Sequence, residues 1–162
     1  MSEIGSGSLT TRRRALAVLG SGIVIGWAGL SRQALSAAQA RPVVTVYKSP
    51  SCGCCGLWTG HLAENGFRTK VVDRDNLHVI KRMARVPENL EACHTAMVDR
   101  YVVEGHVPAS AIRRLLSERP KVIGIAVPGM PEGSPGMPSP TPVRFDVIAF
   151  TADGGQRVFM SF

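Results

Sequence analysis

The chain has 162 residues, 44% hydrophobic and 19% charged, which are proportions typical of one globular domain and exclude an intrinsically disordered chain. Its formal net charge of +7 comes partly from arginines near the N-terminus, and its other basic residues are scattered. Because no basic patch is interleaved with aromatic residues, the charge indicates a solvated surface and excludes nucleic acid as a partner.

The first 40 residues have the pattern of an export signal. Three consecutive arginines at 12–14 precede a moderately apolar run at 15–30, and Ala-Gln-Ala at 38–40 is a small-residue cleavage site. The run is shorter than the ~20 apolar residues that span a bilayer. We therefore predict a twin-arginine (Tat) signal peptide, cleavage after Ala40, a periplasmic location and a mature domain of residues 41–162 without a stable membrane span.

The mature part alternates between strand and helix patterns. The predicted elements, in chain order, are a strand at 43–47, a helix at 54–65, a strand at 68–72, a helix at 76–84, a hairpin of strands 95–98 and 101–104, a helix between Pro108 and Pro120, and a C-terminal hairpin of strands 145–151 and 156–162. The second helix would carry Leu77, Ile80 and Met83 on its apolar side. The state of the apolar segment 122–127 stays open. This order predicts an α/β class, a thioredoxin-like fold with an additional C-terminal β-hairpin.

Three of the four cysteines, Cys52, Cys54 and Cys55, lie between the first predicted strand and the first predicted helix. Cys93 lies just before the predicted hairpin, in the loop that faces the first cysteine loop in a thioredoxin-like order. We therefore expect all four thiols to come together. The N-terminal end of a helix favours thiolate over thiol, and thiolates are better nucleophiles and better metal ligands.

Three interpretations of this cysteine cluster remain open. Crowded soft thiolates favour several Cu(I) ions bridged by sulfur over mononuclear zinc, whose cysteines normally come as two separated pairs. Cys52 and Cys55 also form a Cys-x-x-Cys motif, so the alternative is a thiol–disulfide oxidoreductase with Cys93 as the resolving thiol. Two static disulfides in an exported interaction domain are the third interpretation.

Further candidate ligands lie downstream. Met130 and Met137 occupy a Pro-Gly-Met-Pro motif that occurs twice in a loop rich in glycine and proline, where copper capture and simple packing are equally compatible with the sequence. His94 and His106, which lie at the ends of the predicted hairpin, are candidate ligands or hydrogen-bond donors to ligands. On the helices, His61 and His78 are predicted to be ordinary surface residues.

Several of these motifs together resemble the CopG family of exported copper-resistance proteins, long catalogued as a domain of unknown function. The matching segments occur in the same order and cover nearly all of residues 43–162; they are 47–58, 93–97, 103–108, 127–131 and 133–137. The resemblance implies a thioredoxin-like domain that holds copper, as more than one Cu(I) ion, in a multinuclear cysteine-thiolate cluster. It also implies a part in Cu(I)/Cu(II) interconversion in the periplasm, with other periplasmic copper-resistance proteins as partners.

The resemblance also assigns residues, position by position. The family's cysteine positions are matched by Cys52, Cys54, Cys55 and Cys93. Further motif positions are matched by His94, His106, Met130 and Met137. Two expectations stay open at this point: a non-enzymatic copper-binding protein for resistance, and a copper oxidoreductase.

Overall fold

The computed structural model describes residues 42–162, so the predicted signal peptide and its cleavage site lie outside the described residues. The described part contains a mixed β-sheet and three helices. The strands are β1 (Val43–Lys48), β2 (Arg68–Asp73), β3 (His94–Val98), β4 (Tyr101–Gly105), β5 (Gly124–Val127), β6 (Asp146–Phe150) and β7 (Gln156–Ser161). The helices are α1 (Gly53–Glu64), α2 (His78–Met83) and α3 (Ala109–Glu118), with one turn of 3-10 helix at Glu88–Leu90. None of the helices in this part of the chain is both long enough and apolar enough to cross a membrane.

The seven strands form one sheet in the order β2-β1-β3-β4-β5-β6-β7. The pairs β1–β2 and β4–β5 are parallel, and each is connected by a crossover that contains a helix, α1 for the first pair and α3 for the second. All other neighbouring strands are antiparallel. The antiparallel pairing of β1 with β3 places the end of β1 beside the start of β3, with Lys48 opposite His94.

The sheet separates two hydrophobic clusters, because successive side chains along a strand point to opposite faces. On one face, α1 contributes Trp58 and Leu62 and α3 contributes Ile112 and Leu115, all fully buried. The smaller cluster on the other face joins residues that follow α2 to side chains of the central strands; its members are Ala84, Val86, Leu90, Val102, Ala126 and Phe150. The three helices therefore cover both faces of the sheet.

The structure confirms the predicted α/β class and decides the segment whose state was open. Residues 124–127 form β5, and all four of them are buried, which explains why the segment shows no alternation of polar and apolar residues. The predicted C-terminal hairpin forms as β6 and β7 and extends the sheet beyond β5.

The prediction for the inner face of α2 is wrong in part. Met83, which we placed on the apolar side, is 75% exposed, whereas Lys81 is 4% exposed. The cause lies in β4, because Glu104 is fully buried there and forms an ion pair with Lys81. A pattern of apolar residues cannot reveal that a lysine is buried, because its acidic partner is distant in the sequence.

Gly124 is expected to be intolerant of any side chain. A Cβ at this position would lie 2.2 Å from the carbonyl oxygen of Val102, so Gly124→Ala should lower the free energy of unfolding by about 1–3 kcal/mol. Gly60 in α1 is the matched control, because a Cβ there would meet no atom within 4 Å, and Gly60→Ala should raise stability by about 0.5–1 kcal/mol. Urea unfolding of both variants checks this prediction, and equal effects would contradict it.

Candidate metal centre

The three clustered cysteines lie at the N-terminus of α1. Cys52 is the N-cap residue in an extended conformation, and its N–H donates to the carbonyl oxygen of Ser49 at 3.0 Å, which closes the turn that leaves β1. Cys54 and Cys55 lie in the first helical turn, which contains no acidic residue. The free N–H groups of this turn and the helix dipole favour negative charge on the sulfurs.

The structure brings Cys93 to this helix terminus. The sulfurs of Cys52, Cys54, Cys55 and Cys93 all lie within 4.8 Å of one another. Cys52 and Cys55 form a disulfide, whereas Cys54 and Cys93 are free thiols. The Sγ atoms of Cys52 and Cys54 are 3.6 Å apart, and the Sγ atom of Cys55 lies 4.0 Å from the carbonyl oxygen of Cys93. The structure therefore contains one disulfide instead of the two static disulfides of the third interpretation, since Cys93 is unpaired.

Two buried histidines complete a second group of donor atoms around Cys93. The Sγ atom of Cys93 lies 3.3 Å from Nδ1 of His94 and 3.1 Å from Nε2 of His106. Both imidazoles are fully buried, and the ring of His94 packs against that of Trp58 with a centroid distance of 4.3 Å. Cys93 thus belongs to both groups, one made of four sulfurs and the other of one sulfur and two imidazoles.

Burial keeps both imidazoles neutral. It lowers the pKa of His94 to about 3, with the neighbouring His106 and Lys81 acting in the same direction. Burial also lowers the pKa of His106. The carbonyls of Gly105 and Pro135 lie near these two rings and oppose the shifts with a smaller effect. Nε2 of His94 and Nδ1 of His106 nevertheless have no partner in hydrogen-bond geometry. The other nitrogen of each ring lies beside the Cys93 sulfur, and a neutral imidazole is the form that ligates a metal.

Cys93 is held as a thiol in the absence of metal. Burial raises its pKa to about 12, and the nearby Cys54 adds to the shift. A metal ion that binds this sulfur must therefore displace a proton, and its positive charge then replaces the solvation that the thiolate lacks. The site as it stands is poorly suited to a free thiolate and well suited to a thiolate bound to a cation.

Two hydrogen bonds fix α1 against the segment that follows His106. Nε1 of Trp58 donates to the carbonyl oxygen of Val107 at 2.9 Å, and the N–H of Ala109 donates to Nε2 of His61 at 3.1 Å. The prediction that His61 is an ordinary surface residue is therefore wrong, because this imidazole is half-buried and accepts the N–H at the start of α3. The prediction for His78 holds, since its side chain is 79% exposed.

The methionine loop reaches the cysteine helix through Gly136. A Cβ there would lie 2.7 Å from the carbonyl oxygen of Cys54 and 3.0 Å from the backbone N of Trp58, and φ is +90°. Only glycine therefore permits this close approach, which brings the backbone of Met137 next to α1. Met130 is 37% exposed at the far end of the loop. The contact of Gly136 was not predicted from the sequence, although the repeated glycine before each methionine is a visible signal for it.

Comparisons with known proteins agree with this geometry. Residues 90–137 match the family described as "Protein of unknown function, DUF411". The fold is similar to the solved structure "Copper resistance protein copG- Form 2", with a TM-score of 0.72 and 36% identity over 75% of this chain and 98% of that one. A second structure, "Copper resistance protein copG- Form 1", gives a TM-score of 0.70 and 37% identity over 74% of this chain and 96% of that one. No curated protein matches the chain.

The chain belongs to the CopG family of copper resistance proteins. This confirms the family predicted from the cysteine, histidine and methionine motifs. Membership of this family and the cysteine cluster of the structure together suggest copper binding.

The buried imidazole of His94 should make the stability of the copper-free chain depend on pH. The pKa of His94 is about 3 in the folded state and 6.5 in the unfolded state. Between these two pH values the unfolded chain takes up a proton that the folded chain does not. Stability should therefore fall as the pH falls from about 6.5 towards 3. Urea unfolding at several pH values should show a smaller fall for His94→Phe, and an unchanged fall in His78→Gln. Equal pH dependence in wild type and His94→Phe would contradict the assignment.

Proposed function

We propose that this chain is a periplasmic copper-binding protein that holds Cu(I) in a multinuclear site formed by Cys52, Cys54, Cys55 and Cys93. The observation that carries the proposal is the convergence of the four sulfurs within 4.8 Å at the N-terminus of α1. Copper is the cargo of this site. By sequestering copper and by interconverting Cu(I) and Cu(II), the protein would contribute to copper resistance.

The donor set fits Cu(I) better than the competing metals. Thiolate and imidazole donors suit soft or borderline ions, and thiolates select Cu(I) where several are crowded together. Three of the sulfurs lie at the N-cap and in the first turn of α1, so a single tetrahedral ion cannot use them as two separated pairs in the manner of structural zinc. Sulfur can bridge metal ions, which favours more than one Cu(I) ion in the space between Cys54 and Cys93.

The two histidines would extend the site on the side of Cys93. Their buried, neutral rings offer nitrogen lone pairs close to its sulfur, at 3.3 Å for His94 and 3.1 Å for His106. We assign Met137 and Met130 to exchangeable positions on the loop that packs against α1 through Gly136. Thioether donors there would contact copper as it enters or leaves, since methionine sulfur also favours Cu(I).

The disulfide makes copper binding dependent on redox state. An external dithiol would reduce the bond between Cys52 and Cys55 with two electrons and two protons and would itself become a disulfide. The two thiols that form then give the site four sulfur ligands. In the oxidised state only Cys54 and Cys93 remain as free thiols. The reduced chain is therefore the form that we assign to copper binding.

We further propose that the chain is exported, has a thioredoxin-like fold and exchanges copper with partner proteins. The twin-arginine segment and cleavage after Ala40 would deliver residues 41–162 to the periplasm, where other copper-resistance proteins would exchange copper with them. The fold type that we assign is thioredoxin-like with a C-terminal extension. Its support is the strand order β2-β1-β3-β4, with α1 and α3 on one face and α2 on the other.

A second candidate function is supported by the disulfide itself. Cys52 and Cys55 are paired as in a dithiol oxidoreductase, and Cys93 lies within 4.8 Å of both sulfurs as a free thiol. In this alternative, Cys93 would attack the disulfide and release one of the two cysteines. The raised pKa of Cys93, about 12, counts against it because the attacking group must be a thiolate.

Anaerobic titration of the reduced mature chain with Cu(I) should show more than one bound ion per chain. Cys54→Ser and Cys93→Ser should each weaken Cu(I) binding by more than about tenfold in competition with a coloured chelator, because each removes a sulfur that would coordinate copper directly. Binding should also weaken as the pH falls, since copper has to displace the proton of Cys93. The oxidised chain should bind less copper than the reduced chain.

His78→Gln is the matched control for these variants, because it changes an exposed imidazole that lies outside both donor groups. Equal copper retention in wild type, Cys54→Ser and Cys93→Ser would rule out the proposed site. Catalysed disulfide reduction that copper chelation leaves unchanged would support the oxidoreductase in its place.

A further inference from the structure

A buried ion pair lies beneath the start of β3. Lys81 of α2 and Glu104 of β4 are 4% and 0% exposed, and Nζ of Lys81 donates a hydrogen bond to Oε1 of Glu104. Alternation along β3 places Thr95, which contacts this pair, on the opposite face of the sheet from His94. Neither charged residue belongs to the two donor groups of the metal centre.

The carboxylate of Glu104 holds both ends of the Cys93-His94 dipeptide. The backbone N–H of Ala92, just before Cys93, donates to Oε1 at 2.7 Å. The hydroxyl of Thr95, just after His94, donates to Oε2 at 2.7 Å. One side chain therefore uses its two oxygens to fix the chain on either side of two candidate ligands.

Lys81 strengthens the same contacts. Besides Glu104, its ammonium donates to the carbonyl oxygen of Ala92 at 2.9 Å and to Oγ1 of Thr95 at 3.3 Å. The three N–H donors of the ammonium thus have three acceptors, and both the N–H and the carbonyl of Ala92 are held by the pair. The network is fully satisfied, which is the condition under which a buried charge pair is tolerated.

Glu104 is also connected to the other histidine through the backbone. Gly105 follows it with φ at +70°, and a Cβ there would lie 2.7 Å from the Cβ of Ala92. The turn from Glu104 to His106 is therefore packed directly on the residue that precedes Cys93. This contact accompanies the 3.1 Å approach of Nε2 of His106 to the Cys93 sulfur.

We propose that Lys81 and Glu104 are positioning residues of the metal centre, which hold Cys93, His94 and His106 in convergence before a metal ion arrives. The inference rests on the proposed copper site and names the residues that pre-organise it. A buried ion pair adds little stability compared with apolar side chains of similar volume, so fold stability alone is a weak reason for it. Fixing the ligands is a role that apolar residues could not take over.

Three variants test the positioning role by Cu(I) competition with a chelator, alongside thermal unfolding. Glu104→Gln should weaken Cu(I) binding by about 10- to 100-fold, the usual effect of removing a group that orients a ligand. Thr95→Val, which keeps the ion pair, should cause a smaller loss. The double variant Lys81→Met/Glu104→Leu leaves no unpaired charge and should regain melting temperature. Its affinity should stay low, because leucine has no acceptor for the N–H of Ala92 or the hydroxyl of Thr95.

Phe150→Leu is the control for general destabilisation, since this side chain belongs to the hydrophobic cluster on the same face of the sheet as the ion pair. It should lower the melting temperature with little change in Cu(I) affinity. The inference is overturned if Phe150→Leu loses as much affinity as Glu104→Gln, or if the double variant regains affinity together with melting temperature. If Glu104→Gln does not fold, Thr95→Val carries the comparison, and unchanged affinity there overturns the inference.

A readout without copper separates this inference from the proposed function. In the reduced, copper-free chain, Thr95→Val, which leaves every charge of the network in place, should accelerate alkylation of Cys93 by iodoacetamide several-fold while leaving Cys54 unchanged, as measured by mass spectrometry at one pH. Should the wild-type chain fail to bind Cu(I), the proposed function fails, and this alkylation ratio alone decides whether the pair positions Cys93. An unchanged ratio overturns the positioning role.

Discussion

The antiparallel pairing of β1 with β3 is the constraint from which the candidate metal centre follows. This register places Lys48, the last residue of β1, opposite His94, the first residue of β3. The chain that leaves β1 and the chain that enters β3 therefore meet at the same end of these two neighbouring strands. Cys52 follows the first of these points and Cys93 precedes the second, so a backbone ladder brings together sulfurs that are far apart in the sequence.

Around this meeting point the protein contains groups that are costly to bury without a ligand. Two neutral imidazoles each have a ring nitrogen that lacks a hydrogen-bond partner, and Cys93 is protonated with its pKa raised to about 12. The fold holds them nevertheless, through Trp58 on one face of the sheet and the Lys81–Glu104 pair on the other. A bound cation would offset part of that cost, since it is attracted to the thiolate and to the ring nitrogens beside it, Nδ1 of His94 and Nε2 of His106.

The sequence predicted the elements well because their signals are local. The β-branched run after Pro42 and the apolar spacing around Trp58 need no distant partner to be recognised. The buried Lys81 and the role of His61 escaped prediction because each depends on a residue in another element, Glu104 in one case and Ala109 in the other. Gly136 was missed because a close approach of two backbones is a tertiary contact. The cysteine cluster was predictable only through the element order that placed Cys93 opposite the first loop.

The protein thus combines a sulfur cluster at the end of two paired interior strands with a cysteine pair that can change oxidation state. Cys93 is the shared member of the sulfur group and the imidazole group, and its position is fixed from the face of the sheet that carries no candidate ligand. This arrangement separates the chemistry of the site from the network that holds it. The most direct measurement of the central claim is X-ray absorption spectroscopy at the copper edge of the reduced, Cu(I)-loaded chain. The account predicts sulfur-dominated coordination with a copper–copper scattering contribution that is lost in Cys93→Ser. Coordination by nitrogen and oxygen alone, unchanged in that variant, would contradict it.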